Sequence, residues 1–307
     1  MLTPRSTLFA TEHKEMFSSR TRCTVYVWFV IDIMDVELDK IYKFFHENVV
    51  LRQGQGGELQ NPELQQTIVP WLGYLFWKWD RNFAMENHVH VYKGPGKVEG
   101  ITEEDMPGIV KDLATKPFPV GRSPWDVWVW NDAKLEEDAA GATGDEDDGG
   151  KKKRLFLLRM HHSLGDGFSI MKLLVEDIHG TVMPGQNFES HNYKPELSVW
   201  QLSRTMVRAP YDMIRTAVHS WDFNEWRLPE KKLTGWLHSA LTNRVPVQRV
   251  KEIKRAHGTS FTAVIMAAFA GGIRNFMEAK GMKIPEKIHC VVPLPMPGHP
   301  NKLRNYM

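Results

Sequence analysis

The chain has 307 residues, with 39 Lys and Arg against 37 Asp and Glu, a formal net charge of +2. That balance gives no global case for nucleic acid or for an acidic partner, and the length predicts about two domains with room for a sizeable core. The two cysteines, Cys23 and Cys290, exclude a disulfide framework and fit a reducing compartment. No apolar run reaches the ~18 residues of a membrane span, and the N-terminus carries no signal-peptide pattern.

In chain order, residues 23–33 alternate between two faces. Cys23, Val25, Val27, Phe29 and Ile31 share one, and Thr24, Tyr26, Trp28 and Asp32 the other, which predicts a strand. Leu38, Ile41, Phe45 and Val49 then recur at helical spacing. The glycine-rich run at 53–57 lacks a following lysine or a G-x-G-x-x-G turn, so it reads as a loop and not a phosphate cradle. Trp71, Phe76, Trp77 and Trp79 cluster beside Lys78 and Arg81. Core packing is expected for most of them, with a lipid interface as the alternative.

His88 and His90 lie on one face of a short strand, a spacing that could hold a metal with a third ligand, and a half-exposed strand face is the expectation. Thr102-Glu103-Glu104-Asp105 is a capping box opening a helix. Trp125, Val127 and Val129 alternate as a strand. Residues 133–153 hold an acidic run, two glycines and three lysines. They predict a disordered insertion between two strands of a sheet, with a polybasic membrane contact as the alternative.

Leu155-Phe156-Leu157-Leu158 is the next strand, and it feeds His161-His162-Ser163-Leu164-Gly165-Asp166-Gly167. A helical stripe of Met171, Leu174, Val175 and Ile178 follows, with Gly180 as its expected C-cap. Residues 181–194 read as a linker. Residues 197–218 read as helical, with a break or kink expected at Pro210. Phe261, Val264, Ile265, Ala268, Ile273 and Phe276 mark a long helix, and residues 287–293 a final strand containing Cys290. Both cysteines thus fall in apolar strand patterns and are expected in the core.

The His-His-x-x-x-Asp-Gly run sits where a strand ends and a loop begins. There a rigid element aims a side chain and the loop leaves room for substrate. Neighbouring strand residues face opposite sides, so one histidine can face a cavity and the other packed protein. A neutral imidazole can take a proton from a hydroxyl as it attacks an acyl carbonyl. Gly165 and Gly167 are expected to allow a sharp turn, and Asp166 to fix the loop or a histidine tautomer. A metal site is disfavoured, because no third ligand stands at a usual spacing.

Met160 to Gly167 resembles the active-site motif of the wax ester synthase/diacylglycerol acyltransferase family, one of the chloramphenicol acetyltransferase-like acyltransferases. Arg122-Ser123-Pro124-Trp125-Asp126 resembles that family's "PLWE" segment. Residues 258–276 resemble the helix that opens its second half, although Thr262-Ala263 stands where the family carries Asn-Asp. Val291-Val292-Pro293-Leu294-Pro295 and Leu303-Arg304-Asn305 resemble the strand and loop after that helix. The resemblance covers about residues 70–307 and is weak before them.

The resemblance implies an α/β chloramphenicol acetyltransferase-like two-layer sandwich, as a first half plus the start of a second. Residues 1–190 would form the first half, 191–250 a crossover and 251–307 the beginning of an incomplete, truncated second half. It implies transfer of a fatty acyl group from acyl-CoA, a co-substrate rather than a cofactor, to a long-chain alcohol or diacylglycerol. His162 would be the base and His161 its support. Asp166 would be structural, in a buried pair with an arginine, and Gly165 and Gly167 would shape the loop. Ser260 or Thr262 are candidates for the oxyanion stabiliser. The expected setting is intracellular, either cytoplasmic or peripheral to a membrane or lipid droplet, without nucleic acid. Two rivals stand beside this: an inactive remnant that binds lipid or a partner, and an acyltransferase of the same superfamily with another donor and acceptor.

Overall fold

The computed structural model describes residues 2, 6–7, 10, 23–31, 37–54, 56–93, 101–133, 153–179, 198–219, 238–243, 245–290, 299 and 302–305. The chain divides into two units. One comprises Met1–Tyr193, His238–Leu241 and Leu294–Met307, the other Lys194–Leu237 and Thr242–Pro293.

Among the described residues the first unit has six strands: β1 (Thr24–Ile31), β2 (Gln66–Trp71), β3 (Tyr74–Trp79), β4 (Val89–Val91), β5 (Trp125–Ala133) and β6 (Lys153–His161). Four of them form a mixed sheet in the order β1-β6-β5-β4. β6 runs antiparallel to both neighbours, and β4 parallel to β5. The predicted alternation holds on both faces. Val25, Val27, Phe29, Val127, Val129, Phe156 and Leu158 turn to one core, while Tyr26, Trp28, Trp130, Leu155 and Leu157 turn to the other.

Helix α1 (Leu38–Phe45) continues into a π-helical turn through Val50 and covers the first face with Ile41, Phe45, Val49 and Val50. Helix α2 (Met106–Ala114) covers the second with Met106, Ile109 and Leu113. The expected capping box opens the 3₁₀ turn before it, where the Asp105 carboxylate accepts from the Thr102 N–H and hydroxyl, each at 3.0 Å. Helix α3 (Gly167–Lys172) runs into a π segment, Leu173–His179. Ile170, Leu173, Leu174 and Ile178 are buried on the first face, whereas Met171 is 44% exposed. The buried stripe therefore begins at Ile170, one residue earlier than expected.

β5 and β6 are joined through residues 134–152, which lie outside the described residues, as does Gly180. Their ladder shows a register irregularity between Trp130 and Ala133, at the root of that connection. β2 and β3 form a separate hairpin. Its two-residue turn has both φ values positive, Leu72 at 49° and Gly73 at 79°, as a type I′ turn requires. Trp77 packs on the core, but Trp71 and Trp79 are exposed. Core packing therefore holds for Trp77, while Trp71 stands beside the turn and Trp79 at the opposite end of β3.

The second unit holds α4 (Val199–His219), α5 (Val247–Ala256) and α6 (Phe261–Ala279). α4 runs through Pro210 instead of ending there. Proline removes one N–H bond, and the rest of the 21-residue helix retains its own bonds on either side. α5 and α6 pack on each other, with Val250 and Met277 buried. Residues 287–290 form no strand, and Cys290 is exposed. A strand exists only with a neighbour to share its N–H and C=O groups, and none pairs with this run among the described residues. Cys23 is partly buried.

Candidate active site

β6 delivers the histidines. Its alternation sends His161 to the α2 side with Arg159, two residues earlier, and its ladder ends there. Thr24 opposes His161, and the His162 N–H donates to the Cys23 carbonyl at 2.7 Å, one step past the last pair. His161 is fully buried, while His162 stands in the turn and is partly exposed. One histidine is thus packed in protein and the other reaches solvent.

The His161 Nδ1 accepts from the Ser163 backbone N–H at 3.1 Å and lies 2.9 Å from the Ser163 hydroxyl. A nitrogen that accepts from an amide carries no proton, so the neutral ring is protonated at Nε2. Phe118 stands edge-on to the ring and also lies under the Arg159 guanidinium, 4.3 Å away. Arg159 is itself buried. Its Nε donates to Asp126 at 3.0 Å, and its Nη1 to the carbonyls of Leu113 at 2.8 Å and Lys116 at 2.6 Å. This pairing satisfies both charges and ties the β5–β6 ladder to the end of α2 beneath His161.

His162 is set by a residue 143 positions away. Its Nδ1 lies 3.2 Å from the Asn305 Oδ1. The Asn305 amide has one orientation that fits, because its Nδ2 donates to the carbonyls of His162 at 2.8 Å and Ser163 at 3.3 Å and to the Ser6 hydroxyl at 3.0 Å. The Oδ1 is therefore an acceptor facing Nδ1, and Nδ1 carries the proton. The lone pair of neutral His162 is then on Nε2. The two histidines hold opposite tautomers, each fixed by a neighbour.

Asp166 is fully buried at the N-cap of α3. Its Oδ1 accepts from the Ser169 N–H at 2.9 Å and hydroxyl at 3.0 Å, and both carboxylate oxygens lie 3.2 Å from the His299 Nε2. Among the described residues the buried partner is thus a histidine rather than the arginine expected. Arg159 is committed to Asp126, and Arg304 contributes its carbonyl to the Asp166 N–H at 3.2 Å. Gly165 is needed for room. A Cβ there would stand 2.6 Å from the Ser169 hydroxyl and 3.1 Å from Leu303. Gly167 is the first residue of α3, has no positive φ, and faces open space. It supplies no turn, because the Asp166 cap makes the entry into the helix.

Residues 303–305 are clamped along their length. The Leu303 N–H donates to the Asn61 Oδ1 at 2.7 Å, Arg304 pairs with Glu63 at 3.0 Å, and the Ser169 hydroxyl lies 3.1 Å from the Arg304 carbonyl. Ser123 and Trp125 also hold the Glu63–Leu64 turn, donating to the carbonyls of Glu63 and Leu64, both at 2.8 Å. The segment around Trp125 thus supports the turn that holds residues 303–305. Sequence reasoning did not assign roles to Asn305, His299, Ser163 or Asn61. Ser163 and Asn305 lay in segments marked by resemblance, and His299 and Asn61 carried no spacing signal. Ser260 caps α6, accepting from the Ala263 N–H at 3.1 Å.

His88 and His90 are separate from this arrangement. His88 is buried, not half-exposed, stacked between Phe83 and Trp125, with Nδ1 2.8 Å from the Trp125 carbonyl. It precedes β4 in a turn, so strand alternation does not set its direction. Burial lowers the pKa of both rings, against the opposing pull of Asp126.

No protein-family model matches the chain, and no curated protein matches it. Among solved structures, the wax ester synthase/diacylglycerol acyltransferase from Marinobacter aquaeolei VT8 superposes with a TM-score of 0.51 at 18% identity, over 93% of this chain and 62% of that one. The first condensation domain of the CDA synthetase superposes with a TM-score of 0.45 at 14% identity, over 92% of this chain and 60% of that one. The chain therefore shares the α/β fold of the Marinobacter acyltransferase, and spans less than two thirds of its length.

Proposed function

We propose that this chain carries the general-base site of an acyl-CoA-dependent O-acyltransferase, with a long-chain alcohol or diacylglycerol as acceptor. The observation that carries the reading is the contact of the His162 Nδ1 with the Asn305 Oδ1 at 3.2 Å, from which we assign the proton to Nδ1 and the lone pair to Nε2. His162 takes the hydroxyl proton as the acceptor oxygen bonds to the thioester carbonyl. The tetrahedral intermediate collapses with loss of the C–S bond, and the proton passes to the leaving thiolate. His161 and Asp166 do not touch substrate. His161 packs the strand end, and Asp166 holds the loop through Ser169 and His299. The fold shared with the Marinobacter enzyme and the seven-residue motif support this choice of donor and acceptor. Such acceptors reside in membranes and lipid droplets, which makes their surface the working site.

The test is turnover of a long-chain acyl-CoA by the purified chain with a fatty alcohol and with diacylglycerol, read as free thiol and as ester. Ester formation that vanishes in His162→Ala supports the reading, and ester formation that persists refutes the assignment. The second reading is lipid or partner binding without turnover. Thiol release at the uncatalysed rate by a folded protein would favour it.

A further inference from the structure

α4 stands out from every other described element. Val199, Trp200, Met206, Val207, Met213 and Ile214 are all exposed on it, Val207 at 81% and Trp200 at 76%. At about 100° per residue, the five aliphatic residues among them fall within an arc of about 120°. Trp200 and Tyr211 border that arc on one side. Arg204, Arg215 and Arg208 come next in angle, against one acidic residue, Asp212, which pairs with Arg208 at 3.6 Å. Going round the helix, the order is hydrocarbon, interrupted by Ser203 and Pro210, then indole and phenol, then guanidinium. That is the order met on leaving a bilayer, where aromatic rings sit at headgroup level and cations at the phosphates. A protein groove fitted to the aliphatic arc would leave the aromatic border and the arginine row without a role. No single described helix is long and apolar enough to cross a membrane, so the helix would lie on the surface rather than span it.

We propose that α4 docks the chain on an anionic lipid surface, with its aliphatic face among the acyl chains and Arg204, Arg208 and Arg215 at the lipid phosphates. This names the contact for the membrane-surface part of the function above, but its test does not depend on acyl transfer.

The experiment is flotation of the full chain with phosphatidylcholine vesicles, with and without phosphatidylserine, at low and high salt. Wild type is expected to float with the anionic vesicles and to be released by salt. Each charge near such a surface is worth about fivefold in affinity. Arg204→Gln/Arg208→Gln/Arg215→Gln is therefore expected to bind anionic vesicles at least about tenfold more weakly. Val207→Asp/Ile214→Asp should lose binding to either vesicle while keeping its far-ultraviolet dichroism. His162→Ala should float like wild type, which separates failure here from failure of the acyl-transfer reading. Wild type that does not float overturns the proposal, as does undiminished binding by the double aspartate variant. So does a wild-type dimer that the double variant converts to monomer without vesicle binding, since the face would then belong to a second copy.

Discussion

The two units treat their apolar side chains in opposite ways. In the first, both faces of the sheet are covered, and Val129, Phe156 and Leu157 are almost fully inaccessible. In the second, α6 leaves Phe261, Ile265, Phe269 and Phe276 exposed, and α4 exposes an entire face. The polar groups follow the same division. The loop from His161 to Ser169 has its carboxylate, its hydroxyls and two distant side chains joined in one hydrogen-bonded set, whereas Thr205 in α4 and Arg274 in α6 bond within one turn of their own helix. Where the chain closes on itself it fixes tautomers. Where it does not, it presents surface.

That contrast predicts where substitutions hurt. The largest effect is on the reacting group: His162→Ala should lower acyl transfer by about 10²–10⁴-fold with an unchanged melting curve, measured by thiol release. Wild-type turnover by the variant would remove His162 from the mechanism. Asp166→Ala deletes the α3 cap and strips His299 of a buried partner, so it should destabilise by about 3 kcal/mol in a urea titration. A loss under about 1 kcal/mol would mean the loop is held otherwise. Asn305→Ala frees the His162 ring to adopt either tautomer. A rate loss on the order of 10²-fold is expected, together with a shifted pH–rate profile that a purely structural role would not produce.

The next effect is a pH dependence of stability. Burial depresses the His88 and His90 pKa below the ordinary 6.5. The unfolded chain therefore binds protons that the folded one refuses, and stability is fully present above about pH 6.5 and falls as pH drops through that value. The slope is at most about 1.4 kcal/mol per pH unit for each ring. His88→Phe should flatten part of that slope, and an unchanged slope would place the titration elsewhere. The smallest effect belongs to the second unit. Phe269→Ser on the exposed face of α6 should change stability by no more than about 0.5 kcal/mol. A loss of several kcal/mol would show that this face is covered in solution and that the contrast between the units is overstated.

Much of the first unit was legible from local pattern. Alternation in residues 24–31 and 125–130 named both faces of the sheet, and helical spacing named Ile41, Phe45 and Val49. The strand-to-loop position of the motif located His161 and His162. Errors arose where a neighbour decides. His88 lies in a turn beside Phe83 and Trp125, and residues 287–290 have no strand to pair with among the described residues.

The sequence by itself determined the periodic elements and the chemistry available at the end of β6, because side-chain direction within a strand or helix repeats every two or about 3.6 residues. Only the tertiary structure decided that Asn305 meets the Nδ1 of His162, that Asp166 meets His299, and that α4 keeps its apolar face in the open. Those outcomes depend on contacts such as Asn305 to His162, 143 residues apart. No local period encodes them: loop-closure cost changes only slowly with separation, so the partner is chosen by packing and by the need of buried polar groups for hydrogen bonds.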